Sequence, residues 1–571
     1  MPSSHPPVRG GGTGMEGGGE GTLRAMSPSG RMGLGAVSEP TKKEVAFMKN
    51  RRFLLFVLTV LVLFVASSAF GAASTTLTVG QGAEPVELDP QNITDNPSEE
   101  VCFQIYEGLV GFDVEDGRLE VAPRLADSWE VSEDGRVWTF HLKKGVVFHS
   151  GAPFNAEAVK KNFDRLLTGK YKRSSLFTPF LSEVKVVDDA TVQFLLSMSF
   201  GPFLHTMCHT AAIIIDPTSI DSGVEIKNNP SGTGPFKFKS WQKGDRITLE
   251  AFDKYREGKP AMETVVFMSI PDDNARTMML ETGEIDIAER ISAFEVERLK
   301  KDQNIALTIQ PGMRVMYIAM NNLDPTLKDP KVRQAINYAV NREAICRNIL
   351  KGYARPIDSP MAYAVNGYAP VEGYKYDPQK ARALLAEAGW KDTDGDRIPK
   401  KGGKRLELNL WSPNGRYPMD LKTAEAVQGY LHEIGIDAKL STMDWAAFLA
   451  ATSVKPEENK SQLFLMGWSP STGDSDWVLR PLFHTKQWIP EGGNRSFYSD
   501  TEVDRYVDIG MTENDPEKRK AAYLEAQKLI IADAPWLTLY VLDNVNGRRS
   551  NVKGLVESPL ELIFVKGVTK E

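Results

Sequence analysis

Apolar and polar positions along this chain recur with two periods, and the period changes every ten to twenty residues. Leu77 and Val79 alternate with threonines, which predicts a strand running into the loop GAEPVELDP. In NPSEEVCFQIYEGL, Val101, Ile105 and Leu109 repeat every four residues, predicting a helix with Ser98 as its N-cap. SWEV and VWTFHL flank EDGR, and Asp134-Gly135 is a hairpin signal. FNAEAVKKNFDRLL reads as a helix capped by Asn155, and DDATVQFLLS as a strand. Two strands meet at Lys243-Gly244-Asp245, and a helix through DDNARTMMLETGE ends at Gly283. VMYIAMNN is a strand, and DPKVRQAINYAVNREAICRNIL is one long amphipathic helix. DPQKARALLAEAGW is a second helix, with Asp377 as cap, Pro378 in its first turn and Gly389 at its end. RLELNLWS, IDAKLSTMD and SQLFLMGWS are strands around a helix through MDLKTAEAVQGYLHEIG. A late helix, PEKRKAAYLEAQKLIIADAP, precedes the strand WLTLYVL. The sum is α+β with βαβ-like α/β stretches, without internal repeats.

The first 73 residues break this pattern. Residues 1–47 are rich in Gly, Ser and Pro and too poor in apolar surface to offset their chain entropy. Lys49, Arg51 and Arg52 then precede an apolar run from Phe53 to Ala66, followed by small residues with Gly71 and Ala73 placed for cleavage. That is the layout of a signal peptide over 48–73, shorter than the roughly 20 apolar residues of a membrane span. Met48 is the natural start of such a segment, so residues 1–47 are expected to be an over-extended start.

Composition narrows the function. Of 571 residues, 42% are hydrophobic and 25% charged, as in an ordinary globular protein of several domains. The formal net charge of -7, without a basic block, argues against a nucleic-acid partner. Cys102, Cys208 and Cys346 are the three cysteines. Export permits one disulfide, most simply Cys102–Cys208, and three buried thiols are the alternative. Asp392, Asp394 and Asp396 alternate like the start of a calcium loop. Arg397 stands where such a loop wants Gly, and Gly403 where it wants Glu, so a polar turn is expected there. Scattered histidines, and the lack of GxSxG, HExxH and Walker motifs, leave no basis for a metal centre, a cofactor or catalysis.

Binding chemistry is better represented. Arg416-Tyr417 lies between a strand and a helix, and a guanidinium fork suits a carboxylate. The stretch GWSPSTGDSDW, from Gly467 to Trp477, follows another strand. Its Trp468, Ser469, Ser471, Asp474 and Asp476 can wall a slot and supply acceptors for an ammonium group, as loops at strand ends commonly do. Turn and cap roles for the two aspartates remain open, Asp476 as the cap of WVLRPLF in particular.

The segment APRLADSWEVSEDGRVWTFHLKKGVVFHSGAPFNAEAVKKNFDRL resembles the family 5 extracellular solute-binding proteins of peptide and nickel ABC importers. NPSGTGPFKF, DPKVRQAINYAVNREAI and YDPQKARALLAEAGW are similar to further stretches of that family, in the family's order. GWSPSTGDSDWVLRPLF looks like the corresponding segment of its glutathione-binding members. In dipeptide-binding members an Asp of this loop holds the ligand's amino group, and Ser471 takes that place here. Arg416 falls where the dipeptide branch has a carboxylate-binding Arg. The resemblance implies a large periplasmic-binding fold: a discontinuous lobe I (74–115, 227–313, 538–571), an extra domain (116–226) and lobe II (314–537), hinged around an interlobe cleft. It also implies a periplasmic monomer that captures a short peptide, glutathione among the candidates, and passes it to membrane permease and ATPase subunits. Binding of di- or oligopeptides or another small polar solute, and a sensor or chaperone role on the same fold, are the alternative expectations.

Overall fold

The computed structural model describes residues 75–571. The proposed leader over 48–73 and the segment 1–47 lie outside them. Among the described residues no helix is long and apolar enough to cross a membrane.

The largest sheet follows the strand order Asp437–Met443, Glu407–Pro413, Leu463–Trp468, Ile305–Met320, Trp536–Arg549, Ile287–Ala288, Thr76–Gln81, Thr264–Ser269, Arg246–Ala251, Phe236–Gln242. Two long antiparallel strands, Ile305–Met320 and Trp536–Arg549, stitch it together. Only their apolar halves were legible as strands. The halves TIQPGM and DNVNGRR are too polar and Gly/Pro-marked to read as strands, but each supplies the other's ladder from Ile305↔Arg549 to Pro311↔Asp543. Their register shifts between Pro311 and Val315. Gly312 stands in that irregularity, where a Cβ would come 2.5 Å from Asn544 Oδ1.

Apolar clusters pack on either side of this seam. On one, Leu77, Val79, Val101, Phe236, Val265 and Ile287 form a core with the Asn96–Ile105 helix. On the other, Ile318, Ile336, Leu408, Leu410, Val427 and Leu539 do so with the Pro330–Ala339 and Asp420–Glu433 helices. A separate antiparallel sheet of Ala126–Val131, Val137–Leu142, Thr191–Leu196 and Leu181–Asp188 carries its own aromatic core. There Phe163 meets Phe194 edge to face at 4.8 Å. Between these bodies lies the hairpin Val110–Glu115/Arg118–Pro123.

Three expectations need correction. The cap of the Asn96–Ile105 helix is Asp95, which accepts from the Ser98 N–H at 3.0 Å. Ser98 lies inside the helix, its hydroxyl donating to Asp95 and accepting from Val86 N. The long helix expected over 329–350 breaks after Ala339. Val340 is extended, and Asn341 caps a new turn through Ala344 N at 2.8 Å. Finally, Cys102, Cys208 and Cys346 are all free and buried, so the structure contains no Cys102–Cys208 bridge. Asp392, Asp394 and Asp396 do cluster, but at an exposed turn. Lys400 pairs with Asp394 and Asp396, and Arg405 with Asp396.

The glycines of NPSGTGPF serve packing. A Cβ at Gly232 or Gly234 would come within 2.7 Å of the Ile105 carbonyl oxygen, so only glycine lets this segment run against the helix end. His149 fastens it, its ring contacting Gly234 O at 2.9 Å.

Candidate functional site

The Leu463–Trp468 strand delivers the chain into GWSPSTGDSDW, and this stretch divides in two. Its second half is fastened inward. Asp474 is fully buried: Oδ1 accepts from Arg519 Nη2 at 2.8 Å and Asp476 N at 2.9 Å, and Oδ2 from Asn366 Nδ2 at 2.8 Å. His205 stands 3.8 Å from Oδ2. Burial alone would raise the Asp474 pKa, but Arg519, His205 and these donors hold it below the usual carboxylate range. Asp476 is buried too and binds Arg480 through both oxygens, at 2.9 and 2.6 Å, one helical turn away. Gly473 adopts φ 66°, and a Cβ there would lie 2.9 Å from Leu119 of the Val110–Pro123 hairpin. Thus the two carboxylates expected to meet a ligand's ammonium are engaged by protein donors and shut away from solvent. Their visible work is to clamp the loop.

The first half faces a different neighbourhood. Trp468 is half-buried, with its indole N–H donated to Trp477 O at 2.9 Å. Ser469 and Ser471 are half-buried as well. A Cβ at Gly467 would meet Tyr417 at 3.1 Å and Arg314 at 3.4 Å, so strand, tyrosine and arginine converge here. Tyr417 is buried and donates its hydroxyl to Gly467 O at 3.3 Å. The turn that places it is held by Asp420, whose carboxylate accepts the N–H groups of Gly415, Arg416 and Tyr417 at 3.2, 2.9 and 3.1 Å. That fixes Arg416, an exposed residue whose guanidinium lies 5.2 Å from the Tyr417 ring and 5.1 Å from that of Trp445.

Further charges gather around Arg416. Arg314, from the long Ile305–Met320 strand, donates Nε to Glu561 Oε1 at 3.0 Å. Arg290 reaches Glu561 Oε2 at 3.3 Å. Arg290 and Glu561 both adopt left-handed backbone conformations, φ 54° and 63°, which non-glycine residues rarely hold. Arg290, Arg314 and Glu561 all lie within electrostatic reach of Arg416. Arg495 adds a fourth guanidinium, within reach of Tyr317 and Tyr417. Arg290, Arg314 and Arg416 therefore surround the Glu561 carboxylate, with Arg495 beyond Tyr417, and the groups come from distant parts of the chain. Sequence reasoning found Arg416 and Tyr417 and missed Arg290, Arg314, Arg495 and Glu561. Arg314 left one trace, a lone charge interrupting the strand GMRVMY.

The model of bacterial extracellular solute-binding proteins, family 5, middle region, matches residues 120–489. This chain belongs to that family. Its members are the solute-binding components of ABC importers and not enzymes. The glutathione-binding protein GsiB of Pectobacterium atrosepticum is 34% identical over 500 residues, 87% of this chain and 94% of GsiB. Among solved structures, HbpA2 of Haemophilus parasuis superposes with a TM-score of 0.75 at 29% identity, covering 87% of this chain and 100% of HbpA2. The oligopeptide-binding protein AppA of Bacillus subtilis, solved with a nonapeptide, gives 0.73 at 29%, covering 87% of this chain and 99% of AppA. These relatives share the mixed α/β architecture of periplasmic binding proteins, and the family acts outside the cytoplasm.

Proposed function

We propose that this family 5 protein captures a short peptide with more carboxylates than ammonium groups, glutathione being the leading candidate, and delivers it to the permease and ATPase subunits of an importer. The observation carrying this reading is the guanidinium surplus: Arg290, Arg314 and Arg416 around Glu561, and, beyond Tyr417, Arg495 without an acidic partner among the described residues. Such a cleft attracts anions and disfavours ligands whose charges cancel. Glutathione offers two carboxylates and one ammonium. Glutathione as the ligand of the 34%-identical GsiB supports the same class, and so does a serine at 471, where dipeptide-binding relatives hold an acid.

In this reading Arg416 binds one ligand carboxylate, while Tyr417, Trp468, Ser469 and Ser471 line the slot. Asp474 and Asp476 shape the loop from behind. Residues 74–115, 227–313 and 538–571 form one lobe, 314–537 the other and 116–226 the extra domain. The leader is removed near residues 71–73, leaving a periplasmic monomer.

Calorimetry tests this directly. Glutathione should bind more tightly than an uncharged-side-chain dipeptide such as Gly-Leu. Arg416→Ala should weaken glutathione by about 2 kcal/mol or more, because a desolvated carboxylate loses its partner. Preference for Gly-Leu, or unchanged glutathione affinity in Arg416→Ala, would overturn the reading.

A further inference from the structure

Arg495 is the anomaly of the cleft. It follows the buried Asn494, in the loop between the Asp476–Phe483 and Thr501–Thr512 helices. Its guanidinium is half-buried, and its Nε is wholly buried without a hydrogen-bond partner. Nη2 donates to Ser453 Oγ at 3.0 Å, and Nη1 makes only a long 3.5 Å contact to Gly493 O. Among the described residues no carboxylate lies within ion-pairing distance of it, whereas Arg314, Arg480 and Arg519 each have one. Burial lowers its pKa from the usual guanidinium value, and the titratable groups nearest it are the neutral phenols of Tyr317 and Tyr417. A guanidinium stays protonated in proteins. A desolvated cation without a counter-ion is destabilising, which a fold tolerates where something else supplies the anion.

Tyr417 is the link to the rest of the cleft. Arg416 stands over one approach to its ring at 5.2 Å, and Arg495 lies within reach of the same side chain. Neither Arg416 nor Arg495 has an acidic partner within ion-pairing distance among the described residues, and both border one tyrosine. Two unpaired forks flank the Trp445–Thr452 helix, Arg416 5.1 Å from the Trp445 ring at its start and Arg495 donating to Ser453 at its end, and two such forks suit a ligand with two carboxylates.

Building on the proposed function, we infer that Arg495 receives the second carboxylate of the ligand and so sets selectivity for dicarboxylate peptides. Arg416 takes the first. The inner fork discriminates more strongly, because a neutral group placed against it leaves the cation unpaired.

The test compares glutathione with its two monoamides, amidated at the glycine or at the γ-glutamyl carboxylate, by calorimetry on the purified wild type, Arg495→Gln and Arg495→Lys. In the wild type, amidation of the carboxylate that Arg495 receives should weaken binding at least about 30-fold. In Arg495→Gln that acid-to-amide contrast should shrink below about 3-fold, and Arg495→Lys should restore part of it. A stability role alone would weaken acid and amide equally, and thermal melts of both variants identify that case. An undiminished contrast in Arg495→Gln overturns the assignment of Arg495 while leaving the proposed function standing. A wild type that binds none of the three ligands overturns both.

Discussion

At the residue scale, a carboxylate's role depends on who reaches it. Asp474 and Ser471 are neighbours in one loop, yet Asp474 is completely buried and Ser471 half-exposed. Nothing in GWSPSTGDSDW indicates this, because the partner that claims Asp474 is Arg519, 45 residues on. Removing the charge leaves Arg519 buried and unpaired. Asp474→Asn should therefore cost about 3–5 kcal/mol in chemical denaturation, with a much smaller loss of ligand affinity. A large affinity loss with full stability would return Asp474 to the ligand. Arg495 poses the opposite problem: its lack of a partner is its defining property, and absence of a partner cannot be read from a chain.

At the element scale, helices and strands meet through groups that no local pattern records. The Asn96–Ile105 helix faces the Ile287–Ala288 strand end through Glu100 and Glu289, two buried carboxyl groups close enough to act on each other. Gln81 donates to Glu100, Ile563 N donates to Glu100 Oε1 at 3.0 Å, and Glu289 Oε1 is buried without a donor. Arg276, Arg290 and Glu561 are the other charges facing Glu289. Burial raises both carboxyls above the ordinary 4.5, Glu100 strongly so, and a proton shared between them would give the Glu289 carboxyl a donor. With the folded values raised, the stabilisation is complete below about pH 4.5 and fades as pH rises, because the unfolded chain ionises first. Glu100→Gln supplies a permanent donor. Its stability should exceed that of the wild type at pH 8, and the gain should vanish near pH 4. Parallel stability curves for the two proteins would refute the shared proton.

At the scale of the whole molecule, the two long strands decide the architecture. Ile305–Met320 and Trp536–Arg549 run antiparallel through the middle of the large sheet, and their register shifts between Pro311 and Val315. The charged cleft draws Arg290 and Glu561 from one side of that seam and Arg416 and Arg495 from the other, with Arg314 on the strand between. A ligand bridging these groups should close the molecule. Glutathione at a hundredfold excess over Kd should raise unfolding free energy by about 2.7 kcal/mol. Small-angle scattering should show a smaller radius of gyration, and an unchanged scattering curve would exclude closure.

Most elements were legible because their signals are local. Asn155, Asp377 and Gly283 mark helix ends by capping chemistry, and Gly135 and Gly244 mark hairpins by positive φ. The quoted motifs were likewise enough for the family, since their order along the chain is itself a sequence property. Packing between distant segments decided the rest: the length of the two central strands, the break after Ala339, and the division of one eleven-residue loop into a buried, ion-paired half and a half-exposed one. The same holds for the arginine surplus. Charge neutralisation depends on distances of about 3–4 Å between side chains up to hundreds of residues apart, so the chain carries the charges but only the fold determines which of them remain unpaired.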